Sequence, residues 1–245
     1  LSCDSQTALC LRKPEIVTYF RNLFLDSLNK TTALVTSRSM PVNILQELLN
    51  SDQAPLCALE WQPCLTSFLS ENMAEKYVPS DLPDREDIVR LGSALIRQLA
   101  RTSEGSCIFS RSGVEDFAQT GIIVDLPTQY IQPLDVRDRI QVLEALCQAC
   151  QEDRKFLRLI NPVTFHLPRH FYAAIRSDDV LDFCGMDAVH SEFNYIRVTE
   201  QSFLEAFRDF FQYLPESGLV CSKEETLSTL RDITRRLKEY ADQSV

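Results

Sequence analysis

The chain is 245 residues long, 44% hydrophobic and 24% charged, with a net charge of −10. A chain of that length buries a sizeable core without disulfide or metal staples, and its balance is that of a folded globular protein, not a disordered one. The acidic surface repels phosphates and anionic headgroups, so neither nucleic acid nor a membrane surface is an expected partner of this segment.

In chain order, residues 14–29 (PEIVTYFRNLFLDSLN) align Ile16, Phe20, Leu23, Phe24 and Leu28 behind Pro14, which predicts a helix. TTALVTS reads as a short β-branched strand, VNILQELLN after Pro41 as an amphipathic helix, and APLCALEW as another strand. A helix is expected from Pro63 to about Tyr77, and Pro79 and Pro83 then hold VPSDLPDRE as a loop. Asp84 stands where an N-cap opens the helix REDIVRLGSALIRQLARTS. After Gly105, SCIFS is a buried strand; within 111–134, VEDFAQT suits a short helix and GIIVDLP a strand or a loop. Asp135 starts the helix VRDRIQVLEALCQAC, and the strand KFLRLI follows.

The last third changes character. HFYAAIR and VLDFC flank a turn at Ser177–Asp178–Asp179 and predict a hairpin, with FNYIRV as a third strand. A helix from about Thr199 to Leu214 carries Phe203, Leu204, Phe207, Phe210, Phe211 and Leu214 on one stripe, which reads as core. Pro215 and Gly218 end it. Ser222 with Glu225 forms a capping box for the final helix, KEETLSTLRDITRRLKEY. Helix followed by strand recurs over 15–37, 85–110 and 135–160 without repeating its residues. The expected class is therefore α/β, grading to α+β: a mixed sheet with helices packed on it, closed by an antiparallel hairpin and two helices. Two lobes are expected, 1–120 and 121–245, joined near 111–134, with one continuous domain as the alternative.

Chemical motifs are sparse. The six glycines are isolated from one another, so no phosphate-cradling loop or dinucleotide fingerprint is present, and no cofactor is implied. Nine cysteines, several in apolar runs such as SCIFS and LEALC, suit a reduced, cytoplasmic setting better than a disulfide framework. No run approaches the roughly 18 apolar residues of a membrane span. Between Cys147 and His170, CQACQEDRKFLRLINPVTFHLPRH has the C-x2-C and H-x3-H spacing of a zinc site. Its cysteines, however, fall at the end of a helix beside Leu143 and Leu146, and Pro168 separates His166 from His170. The order is the reverse of a finger, and the reading is a buried cysteine pair with no metal. No G-x-S-x-G elbow presents a serine, Cys107 lies in an apolar strand, and Asp178–Asp179 serve a turn, so no catalytic residues are assigned.

Parity along the last strands is more suggestive. If KFLRLI, HFYAAIR, VLDFC and FNYIRV are neighbours, one face carries Leu157, Leu159, Phe171, Ala173, Ile175, Leu181, Phe183, Ile196 and Val198. The other carries Arg158, His170, Tyr172, Arg176, Asp182, Tyr195 and Arg197. Arg158, Tyr172, Arg176, Tyr195 and Arg197 are the candidate floor for a small anionic or aromatic ligand; the alternative is a solvated face with cross-strand charge pairs.

Over about a third of the chain, FLRLINPVTFHLPRHFYAAI, YIRVTEQSFLEAFRDFFQYL and VCSKEETLSTLRDITRRL together resemble the C-terminal regulatory regions that follow a phage-repressor-type helix-turn-helix in bacterial transcription regulators. The resemblance implies a ligand-sensing or dimerisation domain in a homodimer, with the DNA-binding domain upstream of Leu1. It transfers no functional residues. An enzyme with an unrecognised site, or a plain protein-interaction module, stands as the alternative.

Overall fold

Short runs of apolar and β-branched residues become strands here where a neighbouring strand supplies a ladder partner. The computed structural model describes residues 32–35, 41–50, 57–101, 105–124, 130–153, 155–164, 166–167, 169, 171–177, 180–187 and 192–243. The helix expected over 14–29, as well as His170 and His190, lies outside them. The described strands are β1 (Thr32–Val35), β2 (Cys57–Glu60), β3 (Ser106–Phe109), β4 (Phe156–Leu159), β5 (Tyr172–Ser177), β6 (Val180–Asp187) and β7 (Glu192–Val198). They form one mixed sheet in the order β1-β7-β6-β5-β2-β3-β4. β2, β3 and β4 are parallel, and every other pairing is antiparallel. Strands from 1–120 and from 121–245 therefore interleave, with β2 and β3 seated between β5 and β4.

The helices are α1 (Pro41–Asn50), α2 (Glu71–Tyr77), α3 (Arg85–Arg101), α4 (Arg111–Thr120), α5 (Val136–Glu152), α6 (Gln201–Tyr213) and α7 (Lys223–Gln243). The main core lies over the parallel strands. Val114 and Phe117 of α4, Leu143, Leu146 and Cys150 of α5, and Leu227, Leu230 and Ile233 of α7 close on Phe109, Leu157 and Leu159. On the opposite face, Leu204 and Phe211 of α6 pack with Leu59, Ile108, Ile175 and Leu181. Only part of the expected α6 stripe is sealed: Phe203 stays exposed, in edge contact with Phe183. A third cluster joins Leu45 of α1 to Ile88, Leu91 and Leu95 of α3.

Local chemistry sets the boundaries. The Ser110 hydroxyl accepts from Gly113 N–H at 3.0 Å and opens α4, and Gly121 at φ +73° ends it. Asp135 accepts from Arg137 and Asp138 N–H at 2.9 and 3.0 Å to open α5. Ser222 and Glu225 make the reciprocal bonds of a capping box at 2.8 and 3.2 Å. Lys76 and Tyr77 of α2 reach that same α5 start. Lys76 Nζ lies 2.6 Å from carboxylate oxygens of both Asp135 and Asp138, and Tyr77 Oη donates to Asp138 at 2.6 Å. The outer edge of β4 is covered from within: Cys221 N–H donates to Leu159 O, and Asn161 N–H to Leu219 O, both at 2.8 Å. A covered edge cannot template pairing with another chain.

Two local expectations change. The helix expected from Pro63 to Tyr77 is a 3-10 turn (Leu65–Phe68), an extended step at Leu69–Ser70, and then α2. The Ser67 hydroxyl donates back to Cys64 O at 2.7 Å, a side-chain bond that favours the tighter turn over a continuing helix. Asp84 does precede α3, and its carbonyl accepts Ile88 N–H at 3.0 Å, but its φ is +58°, not the extended value of an N-cap. The turn bonding Arg85 N–H to Leu82 O rotates the backbone there.

Candidate functional site

Cross-strand partners point to the same side of a sheet, so register converts strand parity into rows. One row runs Leu159–Phe109–Glu60–Tyr172–Cys184–Tyr195 from β4 to β7. The next runs Leu157–Cys107–Ala58–Ala174–Asp182–Arg197 and on to Thr32 of β1. Over β3 and β4 both rows are largely apolar and lie under α4, α5 and α7. From β2 outward they turn polar. Glu60 is 2% exposed and Asp182 0%, and the floor between them is Ala58 and Ala174, also buried. Buried carboxylates are costly unless they are hydrogen-bonded or paired.

This polar half adjoins the point where the chain reverses its direction of travel across the sheet. From β2 the connections run to β3 and then β4, after which the chain returns to the far side of β2 as β5. In open α/β sheets, ligands sit beside the carboxyl ends of strands at such a reversal. Glu60 is the last residue of β2, and its register partner is Tyr172. The chain leaving β2 is held firmly. Trp61 N–H donates to Phe171 O at 2.8 Å, and the Ser110 hydroxyl donates to Trp61 O at 2.6 Å. The buried Gln62 amide donates to Ile122 O at 3.2 Å and accepts from Val124 N–H at 2.9 Å. A Cβ on Gly113 would stand 1.9 Å from Trp61 O, so only glycine lets α4 come this close. The Arg169 guanidinium lies 5.5 Å from the centre of the Trp61 ring and pairs with Asp116 at 3.2 Å.

Burial shapes the ionisable groups around Glu60. Cys107 Sγ donates to Glu60 Oε1 at 3.5 Å. Burial, and then the Glu60 charge, push the Cys107 thiol well above its ordinary range, so it stays a protonated donor and not a thiolate nucleophile. Burial pushes the nearby Lys155 ammonium down, partly offset by Cys64 and Cys107.

Of the five predicted residues, Tyr172, Tyr195 and Arg197 occupy register positions in the two polar rows. Arg176 falls at the irregular step between Ile175 and Ser177 in the β5–β6 pairing. Arg158 does not join them, which corrects the parity argument. It pairs with Ile108, whose row continues through Leu59, Ala173, Phe183 and Ile196 on the opposite face. The assumption that β4 neighbours β5 fails because β2 and β3 lie between them. Arg158 is buried and works at the sheet edge. It donates to Leu157 O at 3.0 Å and to Asp153 at 3.1 Å, and lies 4.5 Å from the Phe156 ring centre. Glu60 was missed; its signal was a lone acid at the end of the apolar run in APLCALEW.

The two cysteines of the zinc-like spacing lie in or against the core. Cys150 is fully buried with Sγ donating to Leu157 O at 3.4 Å, and Cys147 Sγ is 3.9 Å from Thr234 Oγ1. Burial raises both thiols. His166 is exposed in the β4–β5 connection.

No family model and no curated protein sequence matches the chain. Among solved structures, TrmBL2, an archaeal chromatin protein described as showing a novel mode of DNA binding, superposes with a TM-score of 0.34 at 8% identity, over 83% of this chain and 62% of its own. A phosphatidylserine synthase of Haemophilus influenzae Rd KW20 gives 0.33 at 10% identity, over 88% and 47%. The chain spans less than two thirds of either protein, and at these scores neither likeness bears on fold or activity. Among the described residues, no helix is long and apolar enough to cross a membrane.

Proposed function

We propose that this chain is the ligand-sensing, non-DNA-binding part of a bacterial transcription regulator, working as a homodimer. A small anionic or aromatic ligand would lie over the β2–β5–β6–β7 half of the sheet, against Tyr172, Arg176, Tyr195 and Arg197. The observation that carries this reading is the change within single rows from Phe109, Leu157 and Leu159 to Glu60, Tyr172 and Asp182. The resemblance of residues 155–240 to regulator C-terminal regions supports it. Signalling then requires only that the ligand bind one dimer geometry more tightly than another. Trp61, the single tryptophan of the chain, stands beside Glu60 and reports on the site. The test is titration of Trp61 emission with a panel of aliphatic and aromatic carboxylates, with sedimentation in parallel. Binding should fall on the order of tenfold in Tyr172→Ala and Arg197→Gln, and ligand should shift the sedimentation profile. Folded variants that bind as the parent does would remove the reading.

A further inference from the structure

We infer that the cleft where α4, α5 and α7 meet is a second ligand site, one that takes an aromatic carboxylate, and that it is separate from the sheet rows. Ala118, Ile233 and Leu237, one residue from α4 and two from α7, form its apolar lining, each nearly inaccessible to solvent. Its volume is about 350 Å³, at the small end of the roughly 300–1,000 Å³ typical of small-molecule sites. Tyr240, 61% exposed, offers a ring at the mouth.

Charge selects the ligand. The charged lining consists of Arg139, Arg236 and Glu115. Glu115 is already engaged by Arg236 at 3.3 Å and by Arg111 at 2.9 Å, and Arg236 also reaches Asp232 at 3.1 Å. Arg139 differs. Its Nη1 donates to the Ala118 and Gln119 carbonyls at 2.7 and 2.8 Å, which locks the guanidinium against the end of α4. Those partners are neutral, and its Nε is buried without a hydrogen-bond partner. Among the described residues no carboxylate lies within ion-pair distance of Arg139. A partly buried, rigidly held cation whose partners are carbonyls, with no carboxylate paired to it, can still accept an anion on its free N–H groups, and a guanidinium matches the planar, two-oxygen geometry of a carboxylate. The apolar floor and the Tyr240 ring require that the carboxylate carry a flat hydrocarbon body.

The probe is 1-naphthoate, with 1-naphthylmethylamine as the same ring bearing the opposite charge, each titrated calorimetrically into the full chain. The acid should bind and the amine should not. Arg139→Gln and Arg236→Gln should each weaken the acid on the order of tenfold, Tyr240→Ala should weaken it less, and Tyr172→Ala should leave it unchanged. Arg139 caps α4, so its variant is read only if its melting curve is cooperative; Arg236 and Tyr240 lie at the surface and keep the test decisive otherwise. The inference is overturned by amine binding equal to that of the acid, by no binding of the acid up to millimolar concentration, or by unchanged affinity in both Arg236→Gln and Tyr240→Ala. Loss of binding in Tyr172→Ala alone would assign the probe to the sheet rows and remove the second site.

Discussion

The two halves of one sheet face each hold fully buried side chains and are built differently. Over β3 and β4 the face presents Phe109, Leu157 and Leu159 to three helices; over β2, β5 and β6 it presents Glu60, Tyr172 and Asp182. Asp182 is as inaccessible as Leu230. Depth of burial therefore does not by itself separate residues that hold the fold from residues held for another purpose. What separates them is the free energy of burial, favourable for Leu230 and costly for Asp182 unless its polar needs are met.

The comparison breaks most sharply at the apolar half. Leu230→Ala, in the α7 cover, should cost about 2–5 kcal/mol in urea unfolding; a loss much smaller than that would mean the apolar half is not the stabilising one. Gly113→Ala comes next. Its new methyl meets the Trp61 carbonyl, so an overpacking cost of about 1–3 kcal/mol is expected, with a shift in Trp61 emission because α4 must move away from that loop. Ser222→Ala removes one arm of the α7 capping box and should cost about 1 kcal/mol. Tyr172→Phe keeps the ring and loses only a hydroxyl. Its stability cost should be about 0.5–1.5 kcal/mol, and any larger effect should appear in ligand titration, which is what distinguishes the polar half.

The smallest effect is a pH dependence at the α2–α5 junction. Hydrogen bonding from Lys76 holds the Asp135 carboxyl at about 2. A depressed carboxyl contributes stability that is complete above its unfolded range near pH 4 and is lost as pH falls toward 2. The pair is half-exposed, so the contribution is modest. The urea midpoint of the parent should fall between pH 4 and 2 more steeply than that of Lys76→Met; parallel acid limbs would remove Asp135 as the cause.

Much of the fold was legible because its signals are local. Asp135, Ser222 with Glu225, and the β-branched and aromatic runs of β5 to β7 each satisfy their own backbone neighbourhood, so their elements follow from a few adjacent residues. The candidate site was legible in part for the same reason. Alternation along a strand separates Tyr172 from Ala173, and Tyr195 from Ile196, wherever the strand is placed. Arg158 was misassigned because its face depends on which strand lies beside β4, and nothing in the residues after β4 marks that two strands separate it from β5.

The sequence by itself determined the alternating α/β layout, the caps at Asp135 and Ser222, the antiparallel hairpin and most of the apolar stripes, since helical and strand periodicity are properties of neighbouring residues. Only the tertiary structure decided the rest. Seating β2 and β3 between β5 and β4 brought Glu60 beside Tyr172 and turned Arg158 to the opposite face. Folding α7 back over α5 and α4 left Arg139 beside an apolar cleft. These juxtapositions join residues far apart in the chain, and strand order and helix packing, not local periodicity, select them.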